Sequence, residues 1–351
     1  MAGGGNVMAI VKANGYGHGL EAVAKLLCTQ DVSFFGVANV GEARRIRDAG
    51  VHTPIFLLGP AWSGEREEIV VNRWIPCISS LGEAAAFDAL AKRHGRRLRV
   101  HLGVDTGMGR SGFVLDDIPD VFPRLRRLGN LEFEGICSHL ACADSDRAFT
   151  DWQFGRFREI LAELGGAAQF RWRHIANSAG VLGYDGAPCN LLRMGLMVYG
   201  VSPLPGFQEK LSTVMSLKSR VIAIQEIVGD TSLRRLALIG AGYGDGYPAQ
   251  ACRSGGEVSI KGRRFPISGR IMIDQLTVDV TADPSVAEGD EVELFGDHVP
   301  VSEVAAKSGS IAWEVLAGIS SWVERIYAPA DPLLSDAERE GDRVLTAGNF
   351  Q

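Results

Sequence analysis

The chain has 351 residues, 46% of them hydrophobic and 22% charged, with a formal net charge of −6. That size and balance exclude a disordered chain and allow one or two domains with large cores. The interspersed charge leaves no basic stripe for nucleic acid, no apolar run reaches membrane-spanning length, and the amino terminus lacks the basic-then-apolar order of a signal peptide.

In chain order, short apolar runs predict strands at 7–13, 34–39, 55–59, 75–80, 99–105, 133–140, 170–178 and 191–200. Between them lie LEAVAKLL, GEARRIRDAG, LGEAAAFDALAKRHG and DWQFGRFREILAELGG, with apolar residues at three-four spacing and glycine near several ends. The RRLRV and RLRRL clusters read as solvated helix faces. Alternating strands and helices imply parallel strands with helical crossovers, and eight of them close naturally into a (β/α)8 TIM barrel over residues 1–210. From 211 to 351 the pattern changes. SLKSRVIAIQEI, RRLALIGAG, EVSIKGRRFPIS, GRIMIDQLTVDV and EVELFG follow one another with turn signals and little helix, which predicts a mostly β second domain. A polar tail begins near Asp331.

The six cysteines are scattered without a CxxC pair, as in reduced thiols of a cytoplasmic protein. Cys137, His139, Cys142 and Asp144 have metal-donor types, but they stand on a strand with no metal-site spacing, and no metal is expected. The glycines 240, 242, 244 and 246 never give GxGxxG, so a dinucleotide loop is not expected either.

A barrel keeps its chemistry at the carboxyl ends of its strands. Lys12 ends the first predicted strand on the same face as Met8 and Ile10. Aimed inward it is a nucleophile of lowered pKa; aimed outward it is a lysine that snorkels into water. Other strand ends add Arg110 in DTGMGRSG, then His139, then His174, Asn177 and Ser178 in HIANS, then Arg193 followed by the amides of Gly195 and Leu196. An aldehyde cofactor that carries a phosphate would use such a set: an amine for the aldehyde, hydroxyls and amides for the phosphate, a charge for the ring nitrogen.

VKANGYGHG, HLGVDTGMGRSG, HIANS, RMGLMVYG, GYGDGYP and GRIMIDQ, in this order over roughly residues 7 to 327, resemble alanine racemase, a family of barrel enzymes that use pyridoxal 5'-phosphate. The resemblance implies a homodimer with shared active sites and D-alanine made from L-alanine, by two bases, for the cell wall. It makes Lys12 the Schiff-base lysine and one base. Tyr16, Ser178 and the amides of Gly195 and Leu196 become the phosphate cradle. Arg193 faces the pyridine nitrogen, supported by His174, while His139 and Asn177 are further pocket residues. Arg110 contacts the cofactor's phenolic oxygen and the substrate side. Tyr243, Ile273 and Asp274 line the partner subunit's site.

Departures accompany the match. The family's second base is a tyrosine in a Ser-Tyr-Gly segment ahead of GYGDGYP, and this chain has no such segment. Its six tyrosines are at 16, 184, 199, 243, 247 and 327, and Asp230-Thr231 marks the point of loss. The family also has a strand and a helix ahead of the lysine strand, where only eleven residues precede Lys12. Gly103 stands where many members place a lysine whose carbamate positions the arginine equivalent to Arg110. Met272-Ile273 and Ser321 replace other pocket residues. A chain with one base is expected to be a poor racemase. The alternatives are a racemase of serine or a basic amino acid, and a pyridoxal-phosphate binder without full turnover.

Overall fold

The computed structural model describes residues 6–185, 187–228 and 233–328. Asp230-Thr231 and the tail from Asp331 lie outside them. The described residues divide into two compact units: one holds those within 6–15, 20–198 and 202–211, the other those within 16–19, 199–201 and 212–328.

In the first unit, strands and helices alternate. The strands are β1 (Asn6–Ile10), β2 (Phe34–Val37), β3 (Ile55–Leu57), β4 (Ile75–Ile78), β5 (Leu98–Asp105), β6 (Phe113–Val114), β7 (Leu131–Cys137), β8 (Trp172–His174) and β9 (Leu191–Met194). They run in the order β8-β7-β5-β4-β3-β2-β1-β9, all parallel, with β6 beside β5. Asn190 N–H donates to Arg173 O (3.0 Å) and Arg193 N–H to Ala176 O (3.1 Å), which ties β9 to β8 and nearly closes the ring. The expected parallel barrel is therefore present.

Period-two alternation sorts its side chains. Ala9, Val11, Phe35, Val37, Ile55, Leu57, Val100, Leu102 and Ile136 pack outward with the helices in one buried core. The alternate positions point inward: Phe34 and Phe56 both meet the His101 ring, and Phe56 meets His174, across strands that are not neighbours. Each fully buried large side chain of this kind contributes about 1.5–3 kcal/mol. Side-chain acceptors start the helices: Asn39 takes Glu42 N–H (2.9 Å), Ser80 takes Glu83 N–H (3.2 Å), Asp146 takes Phe149 N–H (2.9 Å) and Asn177 takes Gly180 N–H (3.0 Å).

The second unit holds β10 (Leu217–Val228), β11 (Leu233–Ile239), β12 (Glu257–Ile260), β13 (Arg263–Pro266), β14 (Leu276–Asp279) and β15 (Glu291–Phe295). They form an antiparallel sheet in the order β13-β12-β15-β10-β11-β14.

Several expected elements are corrected. The first strand stops at Ile10, so Lys12 lies beyond it. The run 170–178 gives only β8, because Asn177 opens a helix at Ser178. The run 191–200 ends as strand at Met194 and turns. RRLRV is no helix face: it enters β5, burying Leu98 and Val100 and sending Arg99 out to Glu134.

Candidate active site

Lys12 opens a turn of unusual backbone. Ala13 (φ 53°), Asn14 (φ 56°), Gly15 (φ 62°) and Tyr16 (φ 49°) are consecutively left-handed. For residues other than glycine this costs about 1–2 kcal/mol each, so the surroundings must impose it. Glu42 Oε1 accepts from Ala13 N–H (2.6 Å) and Glu42 Oε2 from Ala38 N–H (2.8 Å). Asn14 Oδ1 accepts from Leu20 N–H (3.1 Å) and Arg45 Nη2 (2.8 Å). Burial, then the charge of Arg110, lowers the pKa of the Lys12 amine, while Glu42 opposes them and Arg193 adds to them. Partial burial and the neighbouring Arg110 and Arg193 charges support the inward reading of Lys12.

Met8 of β1 pairs with Arg193 of β9. The Arg193 guanidinium is buried and makes five bonds, all to neutral acceptors. Nη1 donates to His174 Nδ1 (2.8 Å) and His174 O (3.0 Å). Nη2 donates to Ser138 O (2.6 Å), His139 Nδ1 (2.9 Å) and Ile175 O (3.2 Å). Nε takes part in none of these bonds. Burial pulls its pKa below the usual range, yet a guanidinium does not readily give up its proton.

These bonds fix the imidazoles. His174 Nδ1 accepts, so its proton is on Nε2, 2.7 Å from His101 Nδ1. His101 then carries its own proton on Nε2, which faces Glu134 Oε1 at 3.7 Å. The line runs from a cation at the strand ends to a buried carboxylate, with Arg99 Nη1 3.6 Å from the same oxygen. Gly135 leaves room for it, since a Cβ there would sit 2.5 Å from the His101 ring. Burial keeps His101 and His174 neutral, and His139, beside Arg193, is lowered to about 3 by burial and then by the Arg193 charge. Neither His101 nor Glu134 was expected. Period-two alternation in RVHLGVD could have placed His101 inward, but the residues that meet there are 73 apart in the chain.

At the end of β9, Gly195 N–H donates to Ser178 Oγ (3.0 Å), leaving the hydroxyl proton for another acceptor. Among the described residues no protein acceptor takes the Leu196 N–H. Asn177, expected to face a ligand, spends its Oδ1 as a helix cap. After β5, the Asp105 carboxylate takes the amides of Gly107 (2.8 Å), Met108 (2.7 Å) and Gly109 (2.8 Å), curling the loop that carries Arg110. Gly112 (φ 118°) brings this loop back against β5: a Cβ there would sit 2.7 Å from Val104 C.

In the second unit GYGDGYP and GRIMIDQ meet. Tyr243 N–H donates to Met272 O (2.9 Å) and Gly244 N–H to Ile273 O (2.7 Å). Gly242 makes this possible, because a Cβ would lie 2.3 Å from Met272 O. Tyr243 is 48% exposed, beside exposed Met272 and Ile273, with Asp274 on the same loop. Tyr16, raised to about 12 by burial, stacks on Tyr199 at 4.9 Å. Tyr247 is buried. Tyr327 OH donates to His18 O (3.0 Å), and Tyr184 packs on Phe154. Strands β10 and β11 pair up to Val228–Leu233, so only residues 229–232 connect them. Among the described residues no group of three or more His, Cys, Asp or Glu is placed to hold a metal.

Residues 1–203 match the family description "Alanine racemase, N-terminal domain" and residues 214–327 "Alanine racemase, C-terminal domain". Alanine racemase of Geobacter sulfurreducens is 36% identical over 347 residues, covering 92% of this chain and 91% of that protein. Among solved structures, alanine racemase of Clostridium difficile superposes with a TM-score of 0.86 at 29% identity over 95% of this chain and 92% of that one. The alanine racemase of Bartonella henselae, with covalently bound pyridoxal phosphate, gives 0.84 at 28% identity over 93% of each.

Proposed function

The chain belongs to the alanine racemase family, and from that premise we propose that it interconverts L- and D-alanine with pyridoxal 5'-phosphate, in the cytoplasm and as a homodimer. The residues fit that cofactor. The observation that carries the reading is Arg193: a buried cation held entirely by neutral acceptors, with Nε outside the set. A fixed donor of this kind suits a neutral ring nitrogen and leaves it unprotonated. Lys12 would hold the cofactor covalently. Ser178 Oγ–H, oriented by the Gly195 N–H, the Leu196 N–H and, by the resemblance, Tyr16 would hold its phosphate. His139 and Asn177 set the pocket through Arg193 and the helix start.

When bound, the cofactor supplies an aldehyde that captures an amino group and a conjugated ring that spreads carbanion charge. Lys12 Nζ, neutral at a lower pH than an exposed lysine, takes and returns the α-proton on one face. Arg110 holds the substrate carboxylate and lowers the Lys12 pKa further. Tyr243, exposed beside Ile273 and Asp274, would serve the opposite face from a second copy. The exposed Tyr243, Met272 and Ile273 give that copy an apolar surface to cover.

The test is racemisation of L-alanine, L-serine, L-lysine and L-arginine in D2O, with α-deuterium exchange followed alongside. Alanine is expected to turn over fastest. Tyr243→Phe should keep exchange on one face and lose racemisation by about 10²-fold or more. Exchange without racemisation in the unaltered chain would show that Tyr243 does not serve the second face. Neither exchange nor racemisation with any of the four would overturn the proposal.

A further inference from the structure

Gly103 of β5 pairs with Cys137 of β7, and Cys77 of β4, which pairs with His101, extends its sulfur over the glycine. Both cysteines are nearly buried, at 7% and 6% exposure. Their sulfurs meet over the glycine, Sγ to Sγ 3.5 Å. Only glycine permits this, since a Cβ at 103 would sit 2.7 Å from Cys77 Sγ. A disulfide is ruled out by the sheet. With β5 between them and their registers two residues apart on it, the two Cα atoms are separated by about 9 Å or more, two strand spacings plus the offset. Disulfides need Cα atoms within about 7 Å.

We infer that Cys77 and Cys137 form a dithiol site that takes one thiophilic atom inside the barrel, and that a trivalent arsenical is the chemistry it fits. Two sulfurs on a pyramidal trivalent centre, with bonds of about 2.3 Å and an angle a little below tetrahedral, lie roughly 3.5 Å apart, close to what is present. A linear two-coordinate ion would need them about 4.6 Å apart at the same bond length, which is too far. A four-coordinate zinc would need two more ligands, and no such group exists among the described residues. A monosubstituted trivalent arsenical brings its own carbon and asks only for two sulfurs. In the reaction two S–H bonds break and two As–S bonds form. The arsenic's oxide oxygen leaves as water with the two thiol protons, and neither arsenic nor sulfur changes oxidation state. The site adjoins Arg193: Cys137 pairs with His174, and the carbonyl of Ser138 takes Arg193 Nη2.

The probe is phenylarsine oxide, added to the reduced protein with and without pyridoxal phosphate, and read by intact mass. One arsenical per chain is expected, resistant to excess 2-mercaptoethanol and released by 2,3-dimercaptopropanol. Cys77→Ser and Cys77→Ala, and likewise Cys137→Ser, should bring this label to background while circular dichroism shows the fold intact. Cys28→Ser and Cys252→Ser should keep it. Gly103→Ala should slow labelling at least tenfold. A label that persists in the Cys77 and Cys137 variants, one that a monothiol removes, or none on the folded chain in either state, overturns the assignment.

Discussion

Lys12 is tuned by its neighbours in opposite directions, and the pH profile should report each. Glu42 raises its pKa, so Glu42→Gln lowers it further and shifts the acid limb of kcat to lower pH. Arg110 lowers it, so Arg110→Gln should move the same limb to higher pH. Steady-state rates across pH separate the two, and shifts of the same sign would refute the assignment. The buried imidazoles make a second prediction. His101, His139 and His174 are all held neutral below the usual 6.5. The unfolded chain therefore binds more protons as pH falls below 6.5, and stability is lost in that direction, not toward alkali. Each group contributes up to about 1.4 kcal/mol per pH unit. Urea titrations from pH 7 to 5 should show the decline, and His139→Asn should flatten it. Lys12 and the Gly195-Leu196 turn could be singled out in the sequence because each follows a strand end, and Arg193 because it sits in the last strand of the barrel. The His101–Glu134 line was not, because its partners come from different strands and only barrel closure brings them together.

At the scale of elements, the helix Val40–Asp48 holds the site from outside. Asn39 caps it, and its first turn carries the Glu42 that ties down the Lys12 turn. Asn39→Ala should cost about 1 kcal/mol by urea unfolding, as a lost cap does. A weaker hold on cofactor should accompany it, and unchanged affinity would show that Glu42 stays in place without its helix start. In the second unit, Gly17 (φ 82°) packs with its Cα against Leu316, where a Cβ would lie 2.0 Å from the carbonyl oxygen. The alternating strands and helices of the first unit, the barrel they form and a mostly β second unit were readable from alternation and turn residues. Strand ends were not: β8 and β9 stop early because Asn177 and Gly195 divert the backbone into a helix cap and a turn.

At the scale of the whole molecule, a shared site predicts complementation. Lys12→Ala and Tyr243→Phe chains are each expected to be nearly inactive. Hybrid dimers refolded from an equal mixture should regain about a quarter of the unaltered rate, because half are hybrid and each holds one complete site. No recovery would refute the sharing. Ile273→Glu, on the exposed loop, should shift the chain toward monomer in sedimentation.

The left-handed run from Ala13 to Tyr16 also bears on timing. Its strain is absorbed when the chain folds, through Glu42 and Asn14, so the lysine is aimed before any ligand arrives. Capture of the aldehyde then needs no loop to be ordered, and its entropy has already been surrendered. The observed rate should climb in proportion to cofactor concentration, without lag or plateau, until chemistry itself becomes limiting.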